Sequence, residues 1–312
     1  MAIDKVVLLV GGVGGAKLAY GLKELLPPEK LTIIVNTADD FWLYGLRICP
    51  DLDTITYTLG ERVNKKMGWG IANDTQQMLG ALAELGEDTW FRLGDIDLAT
   101  HLLRTKMLRD GATLTEVTER IRDALDVQHE ILPMSNDPVA TVVETAEHGR
   151  LDFQDYFVRY RWQPQVQALH YTGADEAKIP PRVREALSAA DAIIVGPSNP
   201  WLSIAPILSL PGMRNCIKER DVPRVAVSPI VDGTAIKGPT AKIMHELGVP
   251  QRAQSVADYY GDLINAFAYD EQDAPLTVDG LRTQPFQTVM RSDRDKMVLA
   301  ERLVRWIETL VD

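Results

Sequence analysis

The sequence predicts an α/β fold built on a parallel sheet, and three features of the chain carry that expectation. Short, β-branched apolar runs recur, each too short for a helix and each closed by Gly, Asn, Ser or Pro. The first two runs flank an amphipathic stretch, so strand, helix and strand all fall within the first 36 residues. Such a βαβ unit pairs its strands in parallel through a right-handed crossover. Finally, 312 residues with 46% hydrophobic and 25% charged side chains have the composition of a folded globular chain.

Each element follows from a local pattern. Lys5–Val10 (KVVLLV) reads as a buried strand and ends in Gly11–Gly15. The following AKLAYGLKELL places Leu18, Leu22 and Leu25 in helical rhythm until Pro27 and Pro28 stop it. Leu31–Val35 is the second strand, closing in Asn36, Thr37, Ala38, Asp39 and Asp40. From about Asp53 to Val127 the pattern is mainly helical. Residues 55–130 are therefore read as a helical insertion within a single α/β domain spanning 1–312. Inside it, Thr113-Leu114-Thr115-Glu116 has capping-box spacing, with Leu114, Val117, Ile121 and Leu125 on one helix face. The segment His129–Tyr171, richer in β-branched and aromatic residues, predicts antiparallel strands. The α/β rhythm resumes with Ala192–Val195, Val225–Val227 and Ala266–Tyr269 as strands. Thr240–Leu247 and Arg291–Asp312 read as helices.

Charge and cysteine content narrow the function classes. Thirty-three Lys plus Arg against 44 Asp plus Glu leave a net charge of −11, which disfavours nucleic acid and anionic membranes as bulk partners. Any phosphate must be held locally. No run of about 18 apolar residues or signal-peptide core occurs, and two cysteines, Cys49 and Cys216, make neither a disulfide framework nor a cysteine zinc site. A cytoplasmic location is expected.

Four groups of residues carry candidate chemistry. Gly11-Gly12-Val13-Gly14-Gly15 lies between strand and helix, where glycine permits close backbone approach and the helix start offers amides to an anion. It departs from dinucleotide-fold spacing, because Lys17 stands where a third glycine would be, and no Gly-Lys-Ser/Thr follows. Lys17 is either a phosphate ligand or a solvated side chain. Asp39, Asp40, Asp51 and Asp53 form the second group. Four carboxylates beside a phosphate loop exceed what a ribose needs and point to Mg²⁺, which uses one or two carboxylates and keeps waters. The competing reading is that some cap helices, since Asp53 precedes a predicted one. The third group is Phe91–His101, in which Asp95 or Asp97 is a candidate N-cap and His101 reads as structural rather than as a base. Two proline-containing loops, Gly196–Pro200 and Ser228–Gly238, make the fourth. Ser198, Asn199 and Ser203 suit a base, ribose or phosphate, and Lys237 and Lys242 offer positive charge. The glycine turn, Asp39–Asp40 and the two proline-containing loops each follow a predicted strand and so share one sheet edge, where open α/β sheets bind ligands. Together they indicate a Mg²⁺-assisted nucleotide or phosphate enzyme.

At these residues the chain resembles the 2-phospho-L-lactate transferase family of coenzyme F420 biosynthesis, including its phosphoenolpyruvate transferase branch. The resemblance rests on GGVGGAK at 11–17, NTADD at 36–40, CPDLDT at 49–54, LGDIDLATH at 93–101, ILPMSNDPV at 131–139, GPSNPWLSIAPIL at 196–208 and SPIVDGTAIKGPTAK at 228–242. It implies a Rossmann-like sheet with helices on both faces, a helical subdomain and a homodimer. It also implies transfer of a phospho-acid unit, 2-phospholactate or enolpyruvyl phosphate, from a GDP-linked donor. The acceptor is the hydroxyl of the deazaflavin 7,8-didemethyl-8-hydroxy-5-deazariboflavin, and GMP leaves. By the same resemblance Asp53 and Arg92 meet the deazaflavin, Asp39 holds Mg²⁺ with Asp51 as a helper, and the GPSNP loop with Ser203 meets the nucleotide.

Two rival readings stand beside this one. The gluconeogenesis-factor-like group of nucleotide-sugar-binding regulators shares the fold and glycine turn, but continues from its Asp-Asp pair into a Gly- and Ser-rich stretch. Here Asp40 is followed by Phe41-Trp42-Leu43-Tyr44-Gly45. A nicotinamide-dependent oxidoreductase is suggested by the βαβ start, and the broken glycine spacing counts against it.

Overall fold

The computed structural model describes residues 3–235 and 238–311. Seven strands form one parallel sheet in the spatial order Arg282–Phe286, Ala266–Asp270, Arg224–Val227, Ala192–Val195, Val6–Val10, Leu31–Val35, Glu130–Pro133. Every neighbouring pair is parallel, with Val6 opposite Leu31 and Leu9 opposite Val195 in register. The central strands Val6–Val10 and Ala192–Val195 are apolar along their whole length because both faces are covered.

Alternating side chains feed two cores. Val7, Leu9, Ile34, Ile193 and Phe267 pack with helix residues Val183, Leu187, Ile207, Met213 and Val256. Val6, Leu8, Ile33, Ile194 and Val225 pack with Leu18, Leu22, Ile55, Leu299 and Leu303. The helices Gly12–Leu25, Pro50–Leu59 and Asp293–Glu308 therefore cover one face, and Pro181–Ala189, Ala205–Ser209, Met213–Lys218 and Ala253–Tyr260 the other. This is a doubly wound α/β sheet.

The chain runs outward from Val6–Val10 to Leu31–Val35 and Glu130–Pro133, then returns to Ala192–Val195 on the opposite side of the first strand. The order of strands thus reverses between Val6–Val10 and Ala192–Val195. Loops leaving these two strands emerge side by side at the carboxyl edge, where open α/β sheets bind ligands.

Several boundaries differ from expectation for identifiable reasons. The first helix starts at Gly12, so the glycines are its first turn rather than a loop before it. Glu130–Pro133, within the segment read as antiparallel, joins the main sheet. Within that segment Ala140–Thr145, Gly149–Asp152 and Val166–Thr172 pair antiparallel. Several elements were not anticipated, among them the helix Pro181–Ala189, an edge strand and a hairpin. Arg282–Phe286 is an edge strand interrupted by Pro285, and the hairpin Phe41–Leu43/Leu46–Ile48 turns through Tyr44 and Gly45, both at positive φ. The expected capping box at Thr113 and Glu116 is formed, and Ser292 with Asp295 makes a second one at the terminal helix Asp293–Glu308. Residues 55–130 contain the helices Gln77–Glu84, Asp97–Arg109 and Leu114–Ala124. Among the described residues, no helix is long and apolar enough to cross a membrane.

Candidate active site

At the switch point the glycine turn and the 196–203 loop are in direct contact. Ser198 Oγ donates to the Gly11 carbonyl at 2.8 Å and accepts from the Gly11 amide at 3.1 Å. Gly12, at φ +61°, points its amide at Asp51 Oδ1, 2.7 Å away. A β-carbon on Gly11 would stand 2.5 Å from Asp51 Oδ2 and 2.7 Å from Ser203 Cβ, and one on Gly14 would stand 2.3 Å from the Pro197 carbonyl oxygen. Glycine is required at 11 and 14 because two loops close on the helix start with no room for a methyl group. Gly15 is buried in the same turn against Val10 and Ser198.

The four aspartates divide into environments that their spacing did not announce. Asp51 and Asp53 lie in the first turn of Pro50–Leu59, which begins at a proline and includes both rather than starting after Asp53. Asn36 ties the second strand's end to this helix by donating to Asp51 Oδ2 at 3.0 Å, while its own Oδ1 accepts from the Ala38 amide. That turn brings Asp39 next to Asp51. Burial, then the charge of Asp51, lifts the Asp39 carboxyl well above the ordinary range. Burial pushes Asp51 up to about 6, against the lowering effect of the Asn36 and Gly12 hydrogen bonds. Asp39 Oδ1, Thr37 Oγ1 and Thr141 Oγ1 are buried without hydrogen-bond partners. Buried oxygens in this state are explained by a missing ligand or ion more readily than by packing.

Asp40 is fully enclosed, and burial pushes its carboxyl up to about 7. Neither oxygen has a hydrogen-bond partner, although Arg47 Nη2 approaches Oδ2 to 3.6 Å. Asp53 faces the other way. Its two oxygens are gripped by the two terminal nitrogens of buried Arg104, and His101 Nδ1 lies 3.8 Å from Oδ2. Ligand atoms of Asp53, Asp97 and His101 lie within 4.8 Å of one another, but the Arg104 guanidinium already supplies the positive charge there. Asp39 with Asp51 is the better match to a hard cation, being two carboxylates with spare lone pairs and, among the described residues, no ion-pair partner.

The remaining predicted residues have surroundings of their own. Asn199 accepts from the Trp201 and Leu202 amides, fixing the turn that delivers buried Ser203 to Gly11, and donates to Thr240 Oγ1 at 3.0 Å. Lys17 Nζ donates to the Met290 carbonyl at 2.6 Å, and Lys242 is held by Glu246 and the Pro164 carbonyl. Lys237 lies outside the described residues. Arg92 is exposed, between Phe91, which packs edge-on against Phe41 and Trp90, and buried Leu93. The cap expected from Asp95 or Asp97 is supplied by Asp74, which accepts from the Ile96 and Asp97 amides. Asp95 instead caps Gln77–Glu84 through the Gln77 and Met78 amides. Asn36, Arg47, Thr141 and Arg104 were not singled out from the sequence. The available signal for Arg104 was its place at i+7 from Asp97 and i+3 from His101, which puts three polar residues on one helix face.

The family model of 2-phospho-L-lactate transferase CofD matches residues 6–309 of the chain. A 2-phospho-L-lactate transferase from Methanosarcina mazei is 42% identical over 303 residues, covering 96% of this chain and 99% of that one. A phosphoenolpyruvate transferase from Streptomyces griseus is 43% identical over 275 residues, covering 86% of each chain. Among solved structures, protein BH3568 from Bacillus halodurans has a TM-score of 0.61 over 98% of this chain and 99% of that one. At 18% identity this likeness concerns the fold alone.

Proposed function

The chain belongs to the 2-phospho-L-lactate transferase family, and from that membership we propose that it transfers a three-carbon phospho-acid to a deazaflavin in coenzyme F420 biosynthesis. The donor is GDP esterified at its terminal phosphate by lactate or enolpyruvate, so that this phosphate and its acid are the 2-phospholactate or enolpyruvyl phosphate unit transferred. The acceptor is the terminal hydroxyl of 7,8-didemethyl-8-hydroxy-5-deazariboflavin. In the reaction the hydroxyl oxygen forms a bond to the phosphorus bearing the acid, the bond from that phosphorus to the bridging diphosphate oxygen breaks, and GMP leaves. Such substitutions depend on positioning and on neutralising charge that develops on the phosphoryl oxygens.

The single observation that carries this reading is the Asp39–Asp51 pair, two buried carboxylates side by side at the start of the Gly12–Leu25 helix. Asp39 and Asp51 would hold Mg²⁺, which supplies Lewis-acid neutralisation of the diphosphate and of departing GMP. Gly11 and Gly12 have their amides engaged by Ser198 and Asp51, so the diphosphate faces the first-turn amides of Val13 and Gly14, which a helix leaves without i−4 acceptors. Asn199 and Ser203 shape the nucleotide side of the site. Asp53 orients the acceptor, and exposed Arg92 meets it. A homodimer, with twice the 34.7 kDa chain mass, belongs to the same proposal.

A mass-spectrometric assay with the deazaflavin and each of the two donors tests the reading. We expect GMP and the phospho-acid adduct with at least one donor, loss of both products in EDTA and their return with Mg²⁺. Absence of adduct with both donors at millimolar Mg²⁺ refutes the reaction, and full turnover in EDTA refutes the metal.

A further inference from the structure

Arg104 is a buried cation to which the reaction as proposed gives no separate part. It lies on Asp97–Arg109, only 2% exposed, and its guanidinium joins three elements. Its two terminal nitrogens fork onto both oxygens of Asp53, on the helix Pro50–Leu59. Nη1 also lies 3.3 Å from the Arg47 carbonyl, on the Phe41–Ile48 hairpin. The same nitrogen lies 3.1 Å from His101 Nδ1 on its own helix. Arginine can only donate, so His101 Nδ1 accepts from it, and His101 Nε2 lies 3.3 Å from Asp97 Oδ2. Asp97 is steadied in turn by the Tyr57 hydroxyl at 2.6 Å.

This arrangement does more than neutralise a charge. A first-turn aspartate has free helix amides within reach, and its carboxylate tends to turn toward them. Asp53 is turned away from them, onto a planar fork that fixes both the place and the rotation of the carboxylate plane. A point charge on a flexible stem holds the first of these and not the second. We propose that Arg104 is the positioning residue for the acceptor substrate: by locking the plane of Asp53 it aims that carboxylate's outer lone pairs at the deazaflavin. The inference rests on Asp53 meeting the deazaflavin, as proposed above.

Fluorescence titration of the full chain with the deazaflavin tests it, alongside steady-state kinetics in the donor. Arg104→Lys keeps the charge and removes the fork. Misplacement of one group by about 1 Å can cost on the order of a hundredfold. We expect deazaflavin affinity in this variant to fall at least tenfold while the donor KM stays within twofold. Deazaflavin affinity within twofold of the unmodified chain, or a donor KM raised in the same proportion, overturns the proposal. If Arg104→Lys does not fold, Asp53→Asn compared with Asp53→Asn/Arg104→Met decides, because the double variant removes both charges. Equal deazaflavin affinity in these two shows that Arg104 acts through Asp53, and a further loss beyond threefold overturns it. An unmodified chain that ignores the deazaflavin, or an Asp53→Asn variant that binds it normally, overturns the functional reading itself and this inference with it.

Discussion

Asp40 offers a test of the site's electrostatics that needs no substrate. Its carboxylate is enclosed, lacks hydrogen-bond partners and sits at about 7 rather than the ordinary 3.8, chiefly through burial. The folded form therefore binds a proton more tightly than the unfolded one. The sign follows: stability from this group is complete below about 3.8 and is lost as pH rises through about 7. Asp40→Asn removes the ionisation and keeps the volume. A shift of about 3 units corresponds to about 4 kcal/mol at pH 8, so the variant is expected to be more stable there by about 2–4 kcal/mol. Between pH 7 and pH 5 one proton separates the folded and unfolded states of the parent. The variant's advantage should therefore shrink by about 1.4 kcal/mol per pH unit, or about 2–3 kcal/mol from pH 8 to pH 5. Urea denaturation of both chains, metal-free, at pH 8, 7, 6 and 5 reads this directly, and taking the difference cancels every other titrating group. A difference that stays flat across that range refutes the reasoning, as does a variant less stable than the parent at pH 8.

Three further outcomes follow from the same geometry. Asp39→Ala should abolish adduct formation at every Mg²⁺ concentration without lowering the pH 8 urea midpoint, since a buried carboxyl whose ionisation burial opposes is removed; normal turnover at high Mg²⁺ would exclude Asp39 as a ligand. Gly14→Ala should destabilise by about 1–3 kcal/mol and weaken the donor, because its methyl group meets the Pro197 carbonyl at 2.3 Å; a neutral substitution by denaturation and donor KM would contradict the tight contact. Thr113→Ala, remote from the site, should cost about 1 kcal/mol by loss of the capping box and leave both KM values unchanged.

Much of this architecture was legible in local patterns. Val6–Val10 and Ala192–Val195 are apolar because both faces of a parallel strand are buried, and that leaves an uninterrupted signature in the chain. The capping box at Thr113 is likewise a matter of four consecutive residues. Arg282–Phe286 gave no such signal, because an edge strand needs neither continuous apolarity nor a full set of donors, and Pro285 obscured it further. The start of the first helix was misplaced because glycine has poor helix propensity, whereas Gly12–Gly15 are held helical by contacts with Asp51, Pro197 and Ser198.

The motifs themselves determined which residues gather at the carboxyl edge, since a loop after a parallel strand has only one edge on which to emerge. They could not determine how the aspartates would be divided. Asp51 and Asp53 are two positions apart, yet one turns to Gly12 and Asn36 beside Asp39, and the other turns to Arg104. Residues two apart on a helix do not share a face, so each is assigned its partner by whatever element packs there. For Asp53 that partner lies 51 positions along the chain, brought in by the Asp97–Arg109 helix. Burial, which raises one carboxyl to about 6 and another to about 7, is also a property of the assembled fold, because desolvation depends on what surrounds a side chain and not on its neighbours in sequence.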